Sequence, residues 1–259
     1  MSTAIALQSI DAKETATLRQ RRADSSQDNA WISSPHDVSS SALPLDSSSL
    51  SPTSIYWITP HGILTKAITI LDLTHDMPLP STGLTDTYKA AIKTTLKDHS
   101  FTPIITCHRQ SWIGLKYTIQ DDQHNPIAQW SQSWFSAGEA VLTFPADSPH
   151  SSHPISLKNK RWGLRTESFT VNSQLFSWQM DSAWHSYNMT LYKVLGSGEH
   201  QKKIEVGKYS QKWWGSCATG GAFVFDEGII DGVVAALTLV VVLKKKRQRA
   251  AERYGNGAH

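Results

Sequence analysis

The feature that most constrains the fold is an apolar run near the end of the chain, Val233–Leu243, whose one weakly polar residue is Thr238. Acidic residues precede this run, Asp231 being the nearest, and the basic segment 244–253 follows it directly. Such an order of charges complements the helix dipole, so the pattern predicts a helix over about 227–250. Because the middle of this helix is apolar on every side, the helix must be buried all round.

The same run is short for a membrane span. A helix over Val233–Leu243 rises about 16 Å, roughly half of a ~30 Å hydrocarbon layer. Extending the helix toward its N-terminus brings in Asp231, at a cost of about 3 kcal/mol if that residue lies mid-bilayer. Membrane anchoring through 228–243, with 244–249 as the cytosolic flank, is therefore the weaker alternative to burial in the protein's own fold.

The net charge of the chain comes from one place. The 259 residues carry a formal charge of +3, yet segment 244–253 alone holds +5, which leaves −2 on the rest. A general nucleic-acid binder should carry its basic residues across a face, so no nucleic-acid partner is expected. The basic segment has three interpretations: a solvated helix end, a positive-inside flank, or a patch for anionic lipid. We expect it to cap the helix dipole and to keep that end in water.

The N-terminal segment has a different composition. Segment 33–54 contains ten serines and three prolines and cannot bury enough apolar surface to offset the entropy of ordering it. We therefore expect a disordered arm over 1–54, a folded domain over 55–253 and a flexible tail over 254–259. No apolar stretch of signal-peptide length lies near Met1, so a cytoplasmic location is expected.

The region between Ile55 and Tyr209 reads mainly as β-structure. In Trp112–Gln120 the apolar residues alternate with the others, the period expected of a half-buried strand. Thr87–Asp98 is the exception, since its apolar residues lie near helical spacing. Frequent strands with turn signals between them predict an antiparallel sandwich or barrel, with ten tryptophans to supply its core. About ten strand candidates can be counted: 55–58, 63–71, 102–109, 112–120, 127–136, 161–167, 169–171, 175–181, 189–195 and 203–209.

Motifs for covalent chemistry are weak. Cys107 and His108 are adjacent, and neighbours on a strand point to opposite faces, so they do not form a nucleophile–base pair. Cys217 follows Gly215-Ser216, which lacks the spacing of a nucleophile elbow. A disulfide between the two cysteines is open, although a chain without a signal peptide favours free thiols. We expect no enzyme activity, with an enzyme whose site is assembled from distant strands as a further alternative.

Metal and cofactor signals are also weak. His150 and His153 lie in a Ser/Pro loop whose nearest acidic residue is Asp147, whereas zinc needs three or four convergent ligands. Gly196 and Gly198 lack the third glycine and the following helix of a dinucleotide-binding loop. We expect neither a metal nor a cofactor.

The Trp-rich β region and the C-terminal segment FDEGIIDGVVAALTLVVVLKKKRQR (225–249) together carry a family resemblance. Over about 55–252 the chain resembles the tubby C-terminal fold, in its LURP-one-related branch and in similar fungal proteins. The resemblance implies a closed antiparallel barrel of twelve strands around one apolar C-terminal helix. Phospholipid scramblases are similar in fold, and the LURP-one-related branch has no assigned chemistry.

Tubby proteins bind phosphoinositide headgroups through basic side chains on the barrel. The resemblance thus implies a non-enzymatic binding or scaffold module that takes anionic phospholipid at a cytosolic membrane face, or a protein partner. Phosphate groups would suit the basic stretches nearest to such a site. The alternative for these stretches is a solvated strand face. The candidate headgroup-binding residues are Lys158, Lys160, Arg161, Arg165, Lys202 and Lys203.

Overall fold

The alternating segments of the sequence form strands, and the two helical patterns form helices. The computed structural model describes residues 50–62, 64–80, 83–111, 115–132, 139–159, 166–181, 188–196, 201–211 and 219–256, with side chains described to 249. The elements of this part of the chain are β1 (Ser54–His61), β2 (Ala67–Asp72), α1 (Asp86–Asp98), β3 (Ile105–Arg109), β4 (Lys116–Asp121), β5 (Pro126–Gln132), β6 (Glu139–Thr143), β7 (Ile155–Asn159), β8 (Thr166–Val171), β9 (Gln174–Met180), β10 (Met189–Leu195), β11 (Lys202–Gln211), β12 (Thr219–Phe225) and α2 (Gly232–Asn256).

The strands close into a barrel. Each strand pairs with its neighbours in sequence, all pairs are antiparallel, and β1 pairs with β12 to complete the ring. Because consecutive strands alternate in direction, every odd-numbered strand ends at one rim of the barrel and every even-numbered strand at the other. We call these the upper rim and the lower rim. The predicted class, a mainly β closed antiparallel barrel around a buried C-terminal helix, is confirmed.

Helix α2 runs through the barrel from the lower rim to the upper rim. The carboxylate of Asp231 caps its start, accepting from the backbone N–H of Val234 at 2.9 Å. Every residue over 234–243 is at most 1% exposed, as a helix that is apolar on all sides requires. Within the core, Trp178 Nε1 on β9 donates to Thr238 Oγ1 at 3.1 Å and satisfies the one polar side chain in this stretch.

Segment 228–243, the alternative membrane anchor, thus lies partly in the turn before α2 and partly inside the barrel. Neither helix in the described part of the chain combines the length and the hydropathy that spanning a bilayer requires.

Helix α1 covers the outer face of the barrel near β1. Thr85 caps its start by accepting from the backbone N–H of Tyr88 at 3.2 Å, and Ile92 packs against Ile55 and Val224. The predicted helix over Thr87–Asp98 is confirmed within one residue. A polar outer face and one buried stripe explain why helical periodicity was readable here.

The ends of the barrel domain differ from the predicted ones. The Thr53 backbone N–H donates to the Phe225 carbonyl oxygen at 2.9 Å, so the folded part begins before Ile55; the rest of the predicted arm, 1–49, lies outside the described residues. The helix begins at Gly232 rather than near 227, because Asp226 closes a turn by accepting from the backbone N–H of Ile229 at 3.1 Å. It continues to Asn256, so the predicted tail at 254–259 is helical in its first half, and 257–259 lie outside the described residues.

Strand prediction missed the glycine-rich and short strands. β6 and β7 had no candidate, and the candidates 161–167 and 169–171 both fall on β8, so the ten candidates correspond to nine of the twelve strands. A last strand was expected only after a turn at Gly220-Gly221 and was not counted among the ten. Gly220 and Gly221 lie inside β12 and do not form a turn before it. A Cβ on Gly220 would lie 2.6 Å from the backbone nitrogen of Pro60, so only glycine permits the close approach of β12 to β1.

Candidate functional site

Three consecutive lysines follow the apolar run of α2, and the barrel buries all of them. The exposed fractions of Lys244, Lys245 and Lys246 are 5%, 0% and 6%. The expectation that this end of the helix lies in water is therefore wrong for these three residues. The physical reason is that strands distant in sequence supply polar partners inside the barrel, so that burial of the ammonium groups is partly compensated.

One face of α2 carries a shared ion pair. The Lys245 ammonium lies 2.5 Å from Glu167 Oε2 and donates to the Leu157 carbonyl oxygen at 3.2 Å, while Arg249 Nη1 lies 3.0 Å from Glu167 Oε1. Glu167 on β8 is fully buried. Burial lowers the pKa of Lys245, and the Glu167 carboxylate opposes that shift. Both carboxylate oxygens are occupied, so this group fastens the helix to the barrel wall.

Another face of α2 carries Lys244 and Arg247, two further basic residues. Lys244 donates to the Gly62 carbonyl oxygen at 2.7 Å, and its ammonium lies 5.2 Å from the centre of the Tyr117 ring. Burial, together with the positive charges of Arg109 and Arg247, lowers the pKa of Lys244 to about 8. Three cations therefore converge near the upper rim, and we call Arg109, Lys244 and Arg247 the rim cluster.

Two guanidinium groups of the rim cluster hold unused donors. Arg109 Nη1 and Arg247 Nε are buried and have no hydrogen-bond partner in the described part of the chain. Arg109 comes from the upper end of β3, and Arg247 is one helical turn beyond Lys244. Buried donors are normally satisfied, and a charged donor that is left unpaired costs more than a neutral one. The arrangement therefore suits an anion that accepts from both guanidinium groups.

His61 lines the same region as a neutral side chain. It is 1% exposed, with Nδ1 2.9 Å from the Thr59 carbonyl oxygen and Nε2 3.1 Å from Thr219 Oγ1. Burial lowers the pKa of His61 to about 4, and Lys244 and Arg247 contribute to the same direction. At neutral pH the imidazole therefore adds no charge to the rim cluster.

The residues predicted from sequence fall at both rims of the barrel. Lys158 lies near the upper end of β7, with a side chain that is 60% exposed and 3.5 Å from Glu139 Oε1. Lys202 is exposed at the start of β11, at the lower rim. Lys203 is buried on the outer wall, where it donates to Gln179 Oε1 at 3.3 Å. Of the predicted residues that the structure describes, Lys158 and Lys202 therefore lie at opposite rims, and Lys160, Arg161 and Arg165 lie outside the described residues.

The rim cluster itself was missed at the sequence level. Lys244 and Arg247 belong to the basic segment 244–253, whose three interpretations included a patch for anionic lipid, but they were not among the candidate headgroup-binding residues, and Arg109 was not considered. The available signal was the absence of any polar spacer between Leu243 and Lys244, which carries the first lysine into the same buried environment as the apolar run.

The metal and thiol candidates that the structure describes are His150, His153 and Cys107. His150 Nδ1 lies 3.0 Å from Asp231 Oδ2 at the start of α2, and the described residues contain no group of three or more ligating side chains that would hold a metal. Cys107 is a free, buried thiol, and burial raises its pKa to about 12, so it is not ionised at neutral pH. Cys217 lies outside the described residues.

No family model, curated protein or solved structure matches this chain. The barrel with its central helix is the architecture that the tubby resemblance implies, and the relation to that family stays a prediction.

Proposed function

We propose that this chain is a non-enzymatic binding module whose rim cluster holds phosphate groups of an anionic phospholipid headgroup at a cytosolic membrane face. The observation that carries the proposal is the pair of buried guanidinium donors, Arg109 Nη1 and Arg247 Nε, without a hydrogen-bond partner among the described residues. A planar guanidinium presents parallel N–H groups that match the oxygens of a phosphate. A bound phosphate would therefore satisfy donors that the fold leaves unused.

The position of the rim cluster suits a ligand that arrives from outside the barrel. Helix α2 is buried over 234–246 and partly exposed over 247–249, so the rim cluster lies where the helix emerges. Lys158 is at the same rim, and the predicted residues 160–165 follow it in sequence. Basic residues near an anionic membrane contribute about 1 kcal/mol each, which would add to binding at the headgroup.

The chemistry of the rim cluster favours binding over catalysis. Arginine remains protonated over the physiological pH range and therefore does not transfer protons readily. The nearby Cys107 thiol has a raised pKa and His61 a lowered one, so neither is tuned to act near neutral pH. These properties support a module that recognises an anion and leaves it unchanged.

We also propose that the barrel is tubby-like and related to the LURP-one branch. Twelve antiparallel strands around one C-terminal helix support this relation. A tubby-like relation would make phosphoinositides the first headgroups to test.

The test is co-sedimentation with vesicles of phosphatidylcholine alone, with phosphatidylserine, or with phosphatidylinositol bisphosphate. We expect binding to the phosphoinositide vesicles, reduced about tenfold or more in the double variant Arg109→Gln/Arg247→Gln, a loss of about 1.4 kcal/mol or more. Lys202→Gln, which removes a positive charge at the lower rim, is the control and should bind as the wild type does. Equal failure to bind all three vesicles would refute the lipid proposal, and equal binding by the double variant would refute the assignment to the rim cluster.

A further inference from the structure

Helix α1 leaves part of the outer face of the barrel open. A cleft of about 320 Å³ lies beside it, lined by Trp57 of β1 and by Lys93, Leu96 and Lys97 of α1. The three helix residues are three and four positions apart, so they share one face of α1. The volume of the cleft is at the lower end of the range for small-molecule sites, about 300–1,000 Å³.

The two less exposed residues that line the cleft are apolar. Trp57 is 4% exposed and Leu96 is half-buried, and both belong to the cluster that packs α1 onto the barrel. An indole ring and an isobutyl group at the edge of a cleft form a surface from which an apolar ligand body displaces water. The cleft therefore has an apolar side against which such a body can pack.

The two exposed residues that line the cleft are lysines. Lys89, one turn before Lys93, forms an ion pair with Asp86 at 2.7 Å. In the described part of the chain neither Lys93 nor Lys97 forms an ion pair, and none of the described residues that line the cleft is acidic. Like charges four positions apart on a helix repel each other, so an anion between the two ammonium groups would remove that repulsion.

The region around the cleft offers little apolar surface for a protein partner. Specific protein interfaces bury about 800 Å² on each side. Among the described residues the exposed large hydrophobic side chains are Leu64 and Leu79, and neither lines the cleft. The cleft therefore favours a small molecule over a docking protein.

We propose that the cleft beside α1 binds a small carboxylate with a compact apolar body. The carboxylate accepts from the ammonium groups of Lys93 and Lys97, and the apolar body packs against Trp57 and Leu96. Charge-assisted hydrogen bonds orient such a ligand, and burial of its apolar body contributes affinity. The cleft is on the outer face of the barrel and shares no residue with the rim cluster, so this inference does not depend on lipid binding.

Isothermal titration calorimetry of the full chain with 2-naphthoate tests the proposal. We expect saturable binding to the wild type, with an affinity about tenfold lower or more in the double variant Lys93→Gln/Lys97→Gln. The control Lys116→Gln/Lys202→Gln removes two exposed lysines from β4 and β11 and should bind as the wild type does. Equal binding by the Lys93/Lys97 variant, or no binding by the wild type at about 1 mM naphthoate, would overturn the proposal.

Two further titrations test the ligand class and the location of the site. The neutral alcohol 2-naphthylmethanol has the same ring system and should bind about tenfold more weakly than naphthoate, whereas equal affinity would refute the role of the lysines. The rim variant Arg109→Gln/Arg247→Gln should bind naphthoate as the wild type does. Loss of binding in that variant would assign the carboxylate to the rim cluster and overturn the proposal.

Discussion

Lys245 Nζ lies 2.5 Å from Glu167 Oε2 in a site where both side chains are at most 1% exposed. This ion pair joins the central helix α2 to strand β8 of the barrel wall, and each of the two buried charges compensates the other. A buried pair adds little stability relative to apolar residues, but removal of one partner leaves the other charge uncompensated. The pair therefore fixes the position of α2 more than it stabilises the protein.

Glu167→Gln should destabilise the protein by about 3–5 kcal/mol, because Lys245 and Arg249 both lose their carboxylate. Urea unfolding would measure the change in the free energy of unfolding. Glu139→Gln is the matched control, since its partner Lys158 is 60% exposed, and it should cost at most about 1 kcal/mol. Similar costs for the two variants would contradict the role of Glu167.

Leu239→Asp should prevent folding to a soluble barrel, because Leu239 is fully buried and no cation of the helix end reaches the middle of α2. Leu64, which is 66% exposed, provides the control variant Leu64→Asp. Circular dichroism and gel filtration of the soluble fraction would report the outcome. A well-folded Leu239→Asp protein would show that α2 is not the centre of the core.

The stability should rise between pH 7 and pH 9. The folded-state pKa values of Lys246 and Lys244, about 7 and about 8, lie below the ordinary lysine pKa of 10.5, so in this window the unfolded chain binds more protons. Each lysine adds up to about 1.4 kcal/mol per pH unit to the slope of the free energy of unfolding against pH. The variant Lys246→Met should lack the contribution of Lys246 to this slope. Above about pH 9 the raised pKa of Cys107 acts in the opposite direction, because the unfolded thiol ionises first. A slope that Lys246→Met leaves unchanged would contradict the burial of a partly neutral amine.

Acid should destabilise the protein partly through His61. Its folded-state pKa of about 4 lies below the ordinary histidine pKa of 6.5, so stability is lost as the pH falls through this interval. In His61→Gln, the free energy of unfolding should fall less steeply with decreasing pH than in the wild type, by up to about 1.4 kcal/mol per pH unit in the same buffers. Urea unfolding at pH 4.5, 5.5 and 6.5 would measure it, and parallel curves for the two proteins would count against a neutral, buried imidazole.

The antiparallel strands and the buried helix were predicted from local patterns, whereas the closed barrel, as opposed to a sandwich, was implied by the tubby resemblance. The apolar run of α2 and the alternation in β4 are each visible within eleven residues. The start of β12 was missed because Gly220 and Gly221 resemble a turn, whereas the lack of a side chain at Gly220 permits the contact with β1. A close approach between strands at opposite ends of the chain leaves no trace in local periodicity.

The site was less predictable than the fold. The burial of Lys245 depends on Glu167, which is 78 positions earlier, and the rim cluster depends on Arg109 at the end of another strand. Basic residues adjacent in sequence, such as Lys202 and Lys203, were favoured because proximity along the chain is what a sequence shows. Barrel closure brings the functional candidates together instead, since it sets which strand ends share a rim.

The central claim, that the rim cluster holds phosphate, is tested most directly by thermal unfolding with soluble inositol trisphosphate, which needs no membrane. A ligand that binds the folded state at 100 times its dissociation constant adds about 2.7 kcal/mol to stability. We predict a concentration-dependent rise in Tm for the wild type and for Lys202→Gln, and no rise for Arg109→Gln/Arg247→Gln. An unchanged Tm in the wild type, or an equal rise in the double variant, would contradict the claim.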